Sequence, residues 1–167
     1  MISLDAEAIY RSFAQRVREE IAGRDVKLVG VHTGGVWLAE RLKDELKSPH
    51  PVGVLDISFY RDDFDRSGLN PSVKPSRIPF DVEGADILLI DDVLYTGRTV
   101  RAAMNELFDY GRPARIDLAV LIDRGGRELP VAARVVGRTI EVPPDVSVVL
   151  ARDESGRFGL TLEQKGA

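Results

Sequence analysis

Residues 87–99 constrain the fold of this chain more than any other stretch: Ile87-Leu88-Leu89-Ile90-Asp91-Asp92-Val93-Leu94-Tyr95-Thr96-Gly97-Arg98-Thr99. Four consecutive apolar residues read as a strand covered on both faces, which belongs in a parallel sheet between layers of helices. Two acids follow at its carboxyl end. A short loop of Thr, Gly and Thr comes next, and a helical pattern runs over 98–110, ending near Gly111. This order suits a phosphorylated sugar. Carboxylates accept hydrogen bonds from a sugar diol, and the N–H groups at a helix N-terminus hold a phosphate with help from the helix dipole.

Strand and helix alternate along the rest of the chain. Ala8, Ile9, Phe13, Val17 and Ile21 lie near helical spacing over 5–22, and 26–31 reads as a short strand. Gly34-Gly35 opens a helix through about Leu46. Further strands are expected over 52–59, 86–91 and 115–122, with shorter ones in 131–140, 146–150 and 158–162. Such repeating units predict an α/β fold, a parallel sheet with helices on both faces. Residues 60–80 are polar and carry Pro71, Pro75 and Pro79; a loop of that length usually binds or closes over something. At 167 residues, 44% apolar and 30% charged, one globular domain over 1–167 is expected. No apolar run approaches a membrane span, and the first residues lack a signal-peptide layout, so no membrane partner is expected. The absence of cysteine excludes disulfide and thiolate chemistry and fits a cytoplasmic location. A net charge of −4 argues against nucleic-acid binding through overall charge, though not against a local basic patch.

The thirteen residues 87–99 resemble the 5-phosphoribosyl-1-pyrophosphate (PRPP) signature of type I phosphoribosyltransferases. The longer stretch 91–102 resembles one branch, the PyrR family of bifunctional pyrimidine operon regulators and uracil phosphoribosyltransferases. Residues 28–35, Asp56-Ile57-Ser58-Phe59-Tyr60-Arg61-Asp62-Asp63 and Leu121-Ile122-Asp123-Arg124-Gly125-Gly126-Arg127-Glu128-Leu129-Pro130 match it too, in order along most of the chain. The resemblance implies the type I phosphoribosyltransferase fold, with a small hood and a flexible lid at about 60–80. It also implies conversion of uracil and PRPP to UMP and pyrophosphate with Mg²⁺, and a homodimer or larger homo-oligomer.

Its site residues carry over position by position. Asp91 and Asp92 are implied to hold the ribose hydroxyls directly or through Mg²⁺, and their charge would favour the positive charge that builds on the ribose. Read without the loop that follows, they fit a solvated acidic pair equally well. Val93, Leu94, Tyr95, Thr96, Gly97, Arg98 and Thr99 are implied to form the 5-phosphate cradle; the same residues also fit a helix N-cap without a ligand. Thr33 and Gly34 fall in the pyrophosphate loop, where many family members carry Arg at the position of Gly34. A tightly packed glycine turn is the alternative reading. Arg61, on the lid, is implied to reach a phosphate; a solvated charged loop is the alternative. Asp123, Arg124 and the backbone around Val136 are implied to border the base.

Two other functions stay open. One is an RNA-binding attenuation regulator with little catalysis, acting on a pyrimidine mRNA leader through Arg11, Arg16, Arg18, Arg127, Arg134 and Arg138. Ala14, Gln15 and Ala132 stand where RNA-binding relatives carry Thr and Arg. The other is a purine phosphoribosyltransferase, which shares the PRPP signature.

Overall fold

The computed structural model describes residues 3–57 and 76–166. Among these, five parallel strands form the central sheet in the order β3-β2-β4-β5-β6: β2 (Val26–Val31), β3 (Gly53–Leu55), β4 (Asp86–Leu94), β5 (Arg115–Asp123) and β6 (Val135–Thr139). Three helices accompany them: α1 (Ala6–Ile21), α2 (Gly34–Leu46) and α3 (Arg98–Tyr110). The chain ends build a second, antiparallel sheet, ordered β1-β8-β7 from β1 (Ser3–Leu4), β7 (Val146–Arg152) and β8 (Phe158–Gln164). This small sheet is the hood.

Side-chain alternation along a strand sorts the core into two layers. Leu88 and Ile90 of β4 join Ala119 and Leu121 of β5 beneath Ile9, Phe13 and Val17 of α1 and Leu38 and Leu42 of α2. Ile87 and Leu89 join Leu118 and Val120 on the other face, under Val100, Ala103 and Leu107 of α3. Helices therefore cover both faces, as the continuous apolar run requires. Full burial of each such side chain contributes about 2 kcal/mol. Leu150, Phe158 and Leu160 of the hood join the α1–α2 layer.

Local signals explain the helix ends. Asp5 caps α1, its carboxylate accepting from the Ala8 N–H at 3.0 Å. Lys47, left-handed with φ 54°, closes α2, and the Ser48 N–H donates to the Lys43 carbonyl. At the amino ends of β4 and β5, Arg24 donates to Asp86 at 2.7 Å and to Asp117 at 3.0 Å, fixing the two strands side by side.

Several expected boundaries shift. The central strand, expected over 86–91, continues to Leu94, because Asp91, Val93 and Leu94 stay in register with Val120, Ile122 and Asp123. The strand expected over 52–59 is Gly53–Leu55, and residues 58–75, with Arg61 and most of the lid segment, lie outside the described residues. The strand expected in 131–140 is Val135–Thr139.

Candidate active site

Beyond the carboxyl ends of β2, β4 and β5 the chain gathers three loops, the place where open parallel sheets bind ligands. The acid pair lies inside the β4 ladder, not after it. Asp91 pairs with Val120 and is only 6% exposed. Strand alternation sends Asp92 to the face of Leu88 and Ile90, where α2 begins. Its carboxylate rests on Gly34: a Cβ there would fall on the Asp92 side chain. The Asp92 N–H donates to Asp91 Oδ1 and the Val93 N–H to Asp92 Oδ1, both at 2.8 Å, so backbone bonds orient the two carboxylates.

Glycines bring α2 this close. A Cβ on Gly35 would overlap the Ile90 carbonyl oxygen, and one on Gly30 would lie 2.6 Å from the Gly35 carbonyl oxygen. The Thr33-Gly34-Gly35 loop thus presses the start of α2 onto β4 beside the acids. The His32–Thr33 peptide bond is cis, and His32 Nδ1 lies 2.7 Å from the Thr33 hydroxyl. Glycine at 34 leaves this loop without a permanent cation, and Asp92 covers the place where a side chain would start.

The second loop, Tyr95-Thr96-Gly97, opens α3. Gly97 is its N-cap, with φ +98° and no side chain to cap the helix, so of the first-turn N–H groups only that of Arg98 meets a side chain, the Thr96 hydroxyl. A helix start of this kind accepts an anion. The Thr96 hydroxyl accepts from the Arg98 N–H at 3.2 Å. Arg98 pairs with Glu128 at 3.0 Å, and both are exposed. Leu94 is buried, and Val93 and Thr99 are half-buried.

The third loop braces the second. The N–H groups of Glu128 and Leu129 donate to the Thr96 carbonyl at 2.9 and 3.0 Å. Arg127 donates to the Tyr95 carbonyl at 2.7 Å, to the Val131 carbonyl at 2.9 Å and to Asp123 at 2.6 Å. Burial pushes the Asp123 carboxyl up, but the Arg127 hydrogen bond, the Gly125 N–H and the Arg127 charge outweigh it and hold Asp123 below its ordinary value. Arg124 is buried. Its terminal nitrogens donate to the Val146 carbonyl at 2.7 Å and the Pro143 carbonyl at 3.0 Å. Val136 sits inside β6 opposite Val120, and its carbonyl accepts from Arg16 of α1.

The structure thus gathers Asp91, Asp92, Thr33, Gly34 and loop 95–99 at one end of the sheet. Arg127 is the residue that sequence reasoning set in a different role, as part of a basic patch. Its spacing of four from Asp123 was the available signal, and it points to a local pair, not to the bonds with Tyr95 and Val131. Among the described residues no group of three or more His, Cys, Asp or Glu side chains is placed to hold a metal. The adjacent carboxylates are nonetheless hard oxygen donors, the type Mg²⁺ takes when it arrives with a phosphorylated substrate. Among the described residues no helix is long and apolar enough to cross a membrane.

Comparison with known proteins agrees with this geometry. The phosphoribosyl transferase domain model matches residues 3–152. The bifunctional protein PyrR of Nitrosococcus oceani is 48% identical over 164 residues, 95% of this chain and 93% of the relative. That of Pseudomonas aeruginosa is 49% identical over 155 residues, 91% and 89%. A hypoxanthine-guanine phosphoribosyltransferase of Bacillus anthracis superposes with a TM-score of 0.68 at 19% identity, covering 89% of this chain and 87% of its own. A hypoxanthine phosphoribosyltransferase of Trypanosoma cruzi gives 0.68 at 21%, covering 98% and 94%. At that identity the two structures show the fold alone. The chain belongs to the phosphoribosyl transferase domain family and, within it, to the bifunctional PyrR proteins.

Proposed function

We propose that this protein transfers the 5-phosphoribosyl group of PRPP to uracil, giving UMP and pyrophosphate, and that it also senses UMP to regulate pyrimidine genes through an mRNA leader. One observation carries the transferase reading: the Asp91–Asp92 pair is joined through Leu94 to a helix start whose N-cap is Gly97, with the Thr33-Gly34 loop pressed alongside. The first-turn N–H groups of α3 and the hydroxyls of Thr96 and Thr99 hold the 5-phosphate. Asp91 and Asp92 hold the ribose hydroxyls and favour the positive charge that develops at C1 as its bond to pyrophosphate breaks. Mg²⁺ carried by PRPP would be held by these two carboxylates and would offset the charge of the pyrophosphate. Backbone amides of the Thr33-Gly34-Gly35 loop face the pyrophosphate in place of a fixed cation. Arg61 reaches a phosphate from the lid, and Asp123 with the backbone near Val136 borders the base. A cytoplasmic homodimer, or a larger homo-oligomer, completes the proposal.

The deciding experiment is UMP formation from uracil and PRPP, with and without Mg²⁺, beside hypoxanthine, guanine and orotate. Selective, Mg²⁺-dependent use of uracil is expected. Turnover of hypoxanthine or guanine in preference to uracil would make the chain a purine enzyme. Binding of UMP with no turnover of any base would make it a regulator alone. Light scattering checks assembly, and a monomer at working concentration would remove the dimer.

A further inference from the structure

The run 123–130 wraps the 5-phosphate loop, and one of its residues reaches in the opposite direction. Resting on the phosphoribosyl-transfer reading above, we propose that Arg124 is a positioning residue that ties Tyr95, and with it the 5-phosphate loop, to the hood. It takes this role rather than touching base or pyrophosphate. Arg124 is only 6% exposed. Its two terminal nitrogens donate to the carbonyls of Pro143 and Val146, where the chain enters the hood. Its Nε is closed to solvent and has no partner. The guanidinium therefore turns its fork toward the hood backbone, with Nε sealed from any ligand. Its flat face lies 3.9 Å from the centre of the Tyr95 ring. Only an arginine can use fork and face together in this way.

Tyr95 is held from its other sides as well. Lys165, just past the last hood strand, places Nζ 5.8 Å from the same ring. Gly126, with φ +75°, lies so close that a Cβ would overlap the ring edge. Arg127 grips the Tyr95 carbonyl at 2.7 Å. The residue that follows Tyr95 begins the turn into α3, so fixing this ring fixes where the first-turn N–H groups aim. A cradle organised before the ligand arrives does not lose affinity to ordering the loop.

The test is calorimetric affinity of the full chain for ribose 5-phosphate, which carries neither base nor pyrophosphate. Tyr95→Leu and Arg124→Lys should each weaken binding about tenfold, the range of a desolvated cation–π contact. Tyr95→Phe, which keeps the ring, should recover the affinity lost in Tyr95→Leu. The double variant should be no weaker than either single one, because the two residues act through one contact. The KM for the base should move less than twofold. Should Arg124→Lys fail to fold, Tyr95→Leu decides. Unchanged affinity in Tyr95→Leu, additive losses in the double variant, or a shift confined to the KM for the base would each overturn the positioning role while leaving the enzyme reading intact. No ribose 5-phosphate binding by the unaltered chain would overturn that reading and the positioning role with it.

Discussion

Asp91 and Asp92 are neighbours in sequence yet face opposite sides of the sheet, and that separation is what makes them testable apart. Asn at either position keeps the shape and removes the charge that the proposed reaction assigns to the ribose. Asp91→Asn and Asp92→Asn should each lower kcat by about a hundredfold, the scale of losing one electrostatic stabiliser of a transition state. The melting temperature should stay within a few degrees, because Asn keeps the size of the side chain and an oxygen that can still accept the backbone N–H bonds of Asp92 and Val93. Near-wild-type kcat in both variants would sink the ribose assignment. Gly97 is constrained differently. Its φ of +98° is a conformation that side chains resist, and a Cβ would lie 3.2 Å from Val131 and 3.3 Å from Leu129. Gly97→Val should cost about 1–2 kcal/mol of stability and weaken PRPP binding, measured by calorimetry; unchanged PRPP affinity would refute the cradle. The acids and the glycine were legible in the sequence, since their types alone suit a sugar phosphate. The contact between Asp92 and Gly34 was not, because it depends on how far α2 advances onto β4.

At the scale of elements, the spans of β2, α2 and α3 follow from apolar spacing and the glycines that flank it. The sequence ended β4 too early because two carboxylates look like a strand end, whereas their backbones remain paired with β5. The two long hood strands were expected over 146–150 and 158–162, but the pairing of Ser3 with Thr161 and Leu4 with Leu160 was beyond reach, because it joins residues far apart in the chain and no local pattern encodes that. Beside the apolar contacts of Leu150, Phe158 and Leu160, Glu7 of α1 gives the hood a polar anchor on the body. Arg41 of α2 donates to both Glu7 oxygens at 2.9 Å, and the buried Phe158 N–H of β8 donates to Glu7 at 2.8 Å. The Arg41 hydrogen bond, opposed by burial and reinforced by the Phe158 N–H and arginine charge, holds the Glu7 carboxyl below its ordinary value. A carboxyl depressed in the folded state contributes stability that is complete above its unfolded pKa and is lost as pH falls through the folded value. Acid should therefore loosen the hood. Glu7→Gln should cost about 2 kcal/mol at neutral pH, by removing the charged acceptor of the Arg41 and Phe158 bonds while Glu45 stays 3.2 Å from Arg41, and should lose less further stability on acidification than the unaltered chain does. Denaturant titrations at stepped pH below about 5 measure both effects; parallel losses in the two proteins would show that Glu7 is not the acid-sensitive anchor.

Across the whole molecule, the arginines that sequence grouped into one basic patch divide into two populations. Arg127 is turned inward onto Tyr95, Val131 and Asp123. Arg134 lies 3.4 Å from Glu20 and 3.7 Å from Asp117, within a cluster that also contains Arg24 and Arg115. Arg16 donates to the Val136 carbonyl and Arg18 to the Glu45 carbonyl. Arg11 and Arg138 are exposed and form no ion pair among the described residues. Sequence counts charges but not the acids that meet them in space, so the patch read from it is larger than the one the fold presents. An RNA leader gains from a cation only when binding releases counterions from its phosphates, and a guanidinium already paired with carboxylates must first give up that partner. Arg11→Ala and Arg138→Ala should each lower RNA affinity and reduce the slope of log K against log salt by about 0.7, the value for one single-strand phosphate contact. Arg134→Ala should leave the slope unchanged while lowering stability, since it removes a charge from the cluster that joins α1 to the amino end of β5. Fluorescence anisotropy with the pyrimidine leader across a salt series distinguishes these outcomes. A slope that falls with Arg134→Ala and not with Arg11→Ala or Arg138→Ala would place the RNA on the clustered arginines and would require their carboxylate partners to swing away on binding.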